Sequence, residues 1–180
     1  IVARELNIPG DKPVLYADGP FGDYYVSREI PEKQRKQVKD SAIALIAAHA
    51  QVEAVIDGDD LAGVTIPHGS PESWTLAQRV KASFHPDRSG DFIVLLKKAV
   101  TPIASTMRGY VATHGSPWDY DRRVPILFWR KGIQHFEQPM SVMTVDIAPT
   151  LGALIGGSVP AAEIDGKCLD IDGGPANSCE

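Results

Sequence analysis

The chain has 180 residues, of which 43% are hydrophobic and 23% charged, with a formal net charge of −5. That much apolar mass supports a packed core of ordinary domain size and excludes a disordered chain. The acidic balance, with no cluster of Lys and Arg able to neutralise a run of phosphates, argues against a nucleic-acid binder, and no apolar run approaches the roughly 20 residues of a membrane span.

Ile1-Val2-Ala3-Arg4-Glu5-Leu6 carries neither an initiator methionine nor a signal-peptide pattern, so an internal start is expected. Pro13-Val14-Leu15-Tyr16-Ala17-Asp18 and Asp23-Tyr24-Tyr25-Val26-Ser27 are β-prone runs around the turn Gly19-Pro20-Phe21-Gly22, which predicts a hairpin. A helix follows. Pro31 suits its first turn, Glu32 suits the positive end of its dipole, and Val38, Ser41, Ala42, Leu45 and Ile46 recur at helical spacing as far as His49. Its basic residues Lys33, Arg35, Lys36 and Lys39 are read as a solvated face. Val52-Glu53-Ala54-Val55-Ile56 alternates like a half-buried strand and stops at Asp57-Gly58.

Residues 73–82 predict a second, short helix, and Asp91-Phe92-Ile93-Val94-Leu95-Leu96-Lys97 is an apolar run bounded by Ser89-Gly90, as a central strand would be. Residues 124–129, Val-Pro-Ile-Leu-Phe-Trp, read as another buried strand. Thr144 or Asp146 then opens a helix over 147–155, with Pro149 in its first turn and Gly156-Gly157 past its end. The pattern is α/β, without repeats, and its first half suits a small βαβ-like subdomain.

The two cysteines, Cys168 and Cys179, flank a Gly/Pro/Asp loop near the end of the chain. A disulfide there would tie down a fraying terminus, contributing ~2–3 kcal/mol on loop-closure arithmetic, and would place the protein in an oxidising compartment. The other reading is a pair of exposed free thiols in a cytosolic protein, which are chemically vulnerable.

Five histidines are scattered through the chain, with no His-x-x-x-His, Cys-x-x-Cys or Asp-x-Asp-x-Asp-Gly spacing. His49 sits at a helix C-terminus, His68 and His135 in loops, and His85 before Pro86; structural roles are expected for these four. His114 differs in context, because Thr113-His114-Gly115-Ser116-Pro117-Trp118-Asp119-Tyr120-Asp121 sets one imidazole in a loop punctuated by glycine and proline. Gly109-Tyr110-Val111-Ala112 with that loop, then Val124-Pro125-Ile126-Leu127-Phe128 and Val145-Asp146-Ile147-Ala148-Pro149-Thr150-Leu151, resembles the C-terminal part of the alkaline phosphatase superfamily, which also includes type I phosphodiesterase/nucleotide pyrophosphatase-like enzymes. The likeness is greatest to monomeric, secreted bacterial alkaline phosphatases of the PafA/PhoK type. Leu76-Ala77-Gln78-Arg79-Val80, residues 83–91, and Tyr24-Tyr25-Val26 with the helix after them extend it.

The resemblance implies an α/β fold: the C-terminal portion of an alkaline-phosphatase-like core with a small inserted α+β subdomain. Residues 1–90 are expected to form that subdomain, 91–160 the C-terminal strands and helix of the core, and 161–180 a disulfide-closed tail. It also implies a hydrolase with two zinc ions, a Thr or Ser nucleophile and a covalent phosphoenzyme, in which His114 is a zinc ligand. The family's nucleophile segment and its other metal-binding pairs have no counterpart in residues 1–113, so no catalytic residue is expected in this chain, which is read as a C-terminal fragment.

Thr113, Ser116, Asp119 and Asp121 are candidates for supporting His114, although Asp, Ser and Thr are also the ordinary residues of turns. Trp118 and Tyr120 either line the substrate entrance or pack the loop against the body. Asp170 and Asp172 hint at a calcium or magnesium site, for which two carboxylates are few. The reading is a secreted or periplasmic, monomeric phosphomonoesterase whose partners are a phosphate monoester and the rest of the same polypeptide. The alternatives are a phosphodiesterase or sulfatase of the same superfamily, or, from another class, a non-catalytic binding module.

Overall fold

A computed structural model describes residues 1–8, 13–67, 69–103, 109, 111–157 and 160–180 of the chain. His68 and Tyr110, both named in the sequence reading, lie outside the described residues. The chain divides into two compact units: Ile1–Pro67 with Thr75–Arg122, and His68–Trp74 with Arg123–Glu180.

The first unit contains α1 (Val2–Glu5), β1 (Leu15–Ala17), β2 (Gly22–Val26), α2 (Glu32–Ala47), β3 (Val52–Asp57), α3 (Gly58–Ala62), α4 (Leu76–Lys81), β4 (Phe92–Leu96) and α5 (Asp119–Arg122). Its four strands form one sheet in the order β1-β2-β4-β3, with each neighbouring pair antiparallel. The expected hairpin is β1 and β2, paired from Leu15 with Val26 to Ala17 with Tyr24. Because β2 and β3 both run antiparallel to β4, they point the same way on either side of it, and α2 joins them as a split β-α-β unit. The sheet takes strands from both sides of residue 90, the position expected to separate the α+β subdomain from the strands after it.

Period-two alternation sends β4 to two cores at once. Phe92 and Val94 pack with Val26, Val52 and the α2 residues Val38 and Ala42, while Ile93 and Leu95 pack with Leu61 of α3 and Val80 of α4. A strand covered by helices on both faces has no solvent side, which is why its sequence is apolar without interruption. Two carboxylates and a close backbone approach fix where β4 enters the sheet. Asp91 accepts the Val26 N–H at 2.7 Å and pairs with Arg28, and Asp23 accepts the Gly90 N–H at 2.6 Å. A Cβ on Gly90 would lie 2.6 Å from the Tyr24 nitrogen and 2.7 Å from its oxygen, so β2 leaves room there for hydrogen only.

Two further ends are fixed by local chemistry. Thr75 and Gln78 form a capping box at the start of α4, with bonds of 3.3 and 2.8 Å. Lys39, read as part of a solvated face, instead reaches from α2 to Asp57 at 2.8 Å and Asp59 at 2.6 Å, and its side chain is only 14% exposed. Burial disfavours its charge, but the bonds to the two carboxylates outweigh that and hold its pKa above the ordinary value. The Lys39 ammonium in turn holds the Asp59 carboxyl below its ordinary range.

The second unit contains α6 (Ile147–Leu154) and short 3₁₀ turns at Pro71–Ser73, Thr144–Asp146 and Ala161–Glu163. The strand expected over 124–129 does not form. Leu127 is 89% exposed, Trp129 83% and Val124 58%. Those side chains favour burial, but a strand needs a neighbour to satisfy its backbone, and no strand is assigned among the described residues of this unit.

Substituting Gly90→Ala should destabilise the protein by about 1–3 kcal/mol through overpacking against β2, read as a lower urea midpoint at unchanged m value. The Lys39→Met variant carries a signed pH dependence. A depressed Asp59 contributes stability above the unfolded carboxylate pKa that is lost as pH falls through the folded value, and a raised Lys39 contributes stability below the unfolded lysine pKa that is lost as pH rises through the folded value. The stability gap between native and Lys39→Met protein should therefore be widest at roughly pH 5–9 and close toward acid and strong alkali, as urea unfolding at a series of pH values will show.

Candidate functional site

Loop 113–118 leads into α5, and the two are held by side chains bonded to backbone. The Trp118 indole N–H donates to the Leu96 carbonyl at 3.0 Å, tying the loop to the end of β4. The Tyr120 hydroxyl accepts the Ala99 N–H at 3.1 Å, where Ala99 adopts a left-handed φ of +63°. Asp121 accepts the Ser116 N–H at 3.0 Å, closing the turn after His114. Arg79, on α4, donates to the Pro117 carbonyl at 3.2 Å and pairs with Asp119 at 3.0 Å, and Arg122 meets the same carboxylate at 3.5 Å. Burial and the neighbouring Arg79 charge hold the Arg122 pKa below its ordinary value, against the pull of Asp119.

This loop forms one wall of a cleft of about 250 Å³ within the first unit. Phe21, Arg79, Phe84 and Val100 contribute other walls, and Thr113 and His114 belong to the lining. His114 is exposed, and its imidazole has no hydrogen-bond partner among the described residues. Of the other residues singled out from the sequence, Ser116, Tyr120 and Asp121 also line the cleft, whereas Trp118 and the exposed Asp119 hold the loop through Leu96 and Arg79. Arg79 was not singled out. The signal available was its position on α4 three residues after Leu76 and next to the buried Val80, where a long side chain ends 13% exposed.

The Asp-Ile-Ala-Pro-Thr-Leu motif lies in the second unit and serves packing. Asp146, 1% exposed, does not cap α6 with its side chain; its carboxylate accepts the Met143 N–H at 2.8 Å and the Lys167 N–H at 2.9 Å. Thr150, also 1% exposed, donates to the Asp146 carbonyl at 2.7 Å and accepts the Leu169 N–H at 2.9 Å. Gly166 packs against the Val145–Asp146 backbone, where a Cβ would fall on the Val145 carbonyl. The segment so clamped carries the Cys168–Cys179 disulfide, whose Cα atoms are 5.9 Å apart.

Within the disulfide loop, Asp170 accepts the Asp172 N–H and both the N–H and the hydroxyl of Ser178, and these bonds hold its carboxyl below the ordinary range. Asp172 accepts the Gly174 N–H and meets Arg130. These carboxylates are engaged in turn closure, and no group of three His, Cys, Asp or Glu able to hold a metal ion occurs among the described residues. Nor is any helix among them long and apolar enough to cross a membrane.

No family model matches the chain. Its fold does match a solved structure, that of the wild-type alkaline phosphatase PafA, with a TM-score of 0.68 at 24% identity over 89% of this chain and 29% of that one. The fold is thus that of part of the PafA structure. In sequence the chain is 51% identical over 179 residues to alkaline phosphatase PhoK of a Sphingomonas species, covering 99% of this chain and 32% of that protein. It is 48% identical over 178 residues to alkaline phosphatase PhoD of Zymomonas mobilis, covering 99% of this chain and 31% of that protein. The chain is thus similar over nearly its whole length to alkaline phosphatases of the PafA/PhoK type and spans about a third of the length of the curated relatives it matches.

Thr150→Val removes one buried hydroxyl and leaves the Leu169 N–H and Asp146 carbonyl without it, at an expected cost of about 1–3 kcal/mol. Thr150→Ser should retain most of that stability, as urea unfolding with the disulfide intact will show.

Proposed function

We propose that the protein containing this chain is a zinc-dependent alkaline phosphatase that hydrolyses phosphate monoesters through a phosphoenzyme, and that this chain contributes the zinc ligand His114. The observation that carries the proposal is the identity of 51% and 48%, over 99% of the chain, to PhoK and PhoD. The donor chemistry fits a partial site. His114 is an exposed imidazole on a braced loop at a cleft, free to present a ring nitrogen. A catalytic zinc takes three protein ligands, so the other ligands and the nucleophile must come from the rest of the same polypeptide.

When bound, two zinc ions would supply activation of the attacking hydroxyl and stabilisation of the leaving oxygen. The work of this chain is to hold His114 in place: Asp121 closes the turn beside it and Trp118 anchors the loop to β4. The second ring nitrogen would need an acceptor to fix the tautomer. We also read the protein as monomeric and as secreted or periplasmic; the disulfide supports an oxidising location.

In the full-length protein, His114→Ala should lower turnover of p-nitrophenyl phosphate at least ~100-fold and reduce bound zinc below two per chain, since loss of a ligand should exceed the effect of losing a residue that only supports one. Unchanged activity and zinc content would remove His114 from the metal site. A preference for a phosphodiester or sulfate ester over the monoester would overturn the assignment of reaction. The 180-residue chain alone should show no activity and only weak zinc binding.

A further inference from the structure

We infer that Arg79 is the positioning residue of the His114 loop, acting from α4 through the loop's backbone; this rests on His114 being a zinc ligand. The side chain is 13% exposed and holds two groups at once, the Pro117 carbonyl at 3.2 Å and the Asp119 carboxylate at 3.0 Å. A guanidinium presents several donors in a fixed plane, so two simultaneous contacts on one segment restrain both its position and its orientation. The restrained carbonyl lies three residues after His114, and Asp121, two residues beyond Asp119, closes the Ser116 turn.

The anchor itself is rigid. α4 begins in a capping box, and Val80, next to Arg79, packs with Ile93 and Leu95 of β4. Trp118 ties the same loop to Leu96 at the end of that strand, so the loop is fixed from both α4 and β4. Arg79 also lines the cleft that His114 faces. An imidazole exposed to solvent and without a hydrogen bond among the described residues depends on its backbone for position, and loss of a residue that orients a metal ligand typically weakens the metal 10–100-fold.

The test uses the full-length zinc-loaded protein and follows zinc release to a chromogenic chelator, alongside the pH profile of kcat/KM and the urea midpoint. Arg79→Met should speed zinc release about tenfold or more. Asp119→Ala, which removes the exposed half of the pair and leaves α4 intact, should speed it in the same direction, and Arg79→Lys, which keeps the charge on a single donating nitrogen but loses the planar fork, should recover part of the loss. The His114→Ala protein is the control. Native zinc release in both Arg79→Met and Asp119→Ala, while His114→Ala sheds zinc, overturns this inference and leaves the assignment of His114 standing. Native release in all three variants overturns that assignment and this inference with it. A lower urea midpoint in Arg79→Met with unchanged zinc release and pH profile shows a purely structural role and likewise overturns it.

Discussion

Burial of β4 on both faces is the constraint on which the first unit depends. Phe92 and Val94 complete the core under α2, and Ile93 and Leu95 complete the core under α3 and α4, so a single five-residue strand joins two hydrophobic clusters. A strand in that position must enter at one height, because a slip of one residue would exchange its two faces. Asp23, Gly90 and Asp91 set that height through bonds to backbone and through an approach too close for a side chain.

The candidate site inherits its rigidity from the same strand. The last carbonyl of β4, that of Leu96, accepts the Trp118 indole, and the turn that follows β4 presents the Ala99 N–H to Tyr120. The loop that carries His114 is therefore built from long-range side-chain contacts and lies mostly outside regular structure. Loops held this way present an exposed group reproducibly while the group itself stays open to a ligand. Exposure of His114 and immobility of its loop are compatible because different residues supply each.

In the second unit the equivalent role falls to Asp146 and Thr150. Each is almost fully buried, and together they satisfy three backbone N–H groups and one carbonyl, from Met143, Lys167, Leu169 and Asp146. Buried polar side chains of this kind must find partners, and here two of them, Lys167 and Leu169, flank Cys168 of the disulfide. The Asp-Ile-Ala-Pro-Thr-Leu motif thus joins a helix to a segment distant in the chain.

Periodicity in the sequence was enough to determine the β1–β2 hairpin, α2, β3, α4, β4 and α6, because helical and strand spacing reflect which face of each element is apolar. The short loop around Cys168 and Cys179 was likewise legible as a bridge, and His114 stood out by its glycine- and proline-rich setting together with a family resemblance. Residues 124–129 mark the limit: an apolar run says that burial is favoured but not what provides it. Lys39 and Arg79 lay beyond the sequence for the same reason, since a charged residue on a helix looks solvated until the fold brings Asp57 and Asp59, or Pro117 and Asp119, within 2.6–3.2 Å. Local spacing determined the elements and the glycine- and proline-punctuated setting of His114; only the tertiary structure decided which side chains brace that loop, because contacts such as Arg79 with Pro117 and Asp119 join residues distant in the chain, and no local pattern encodes them.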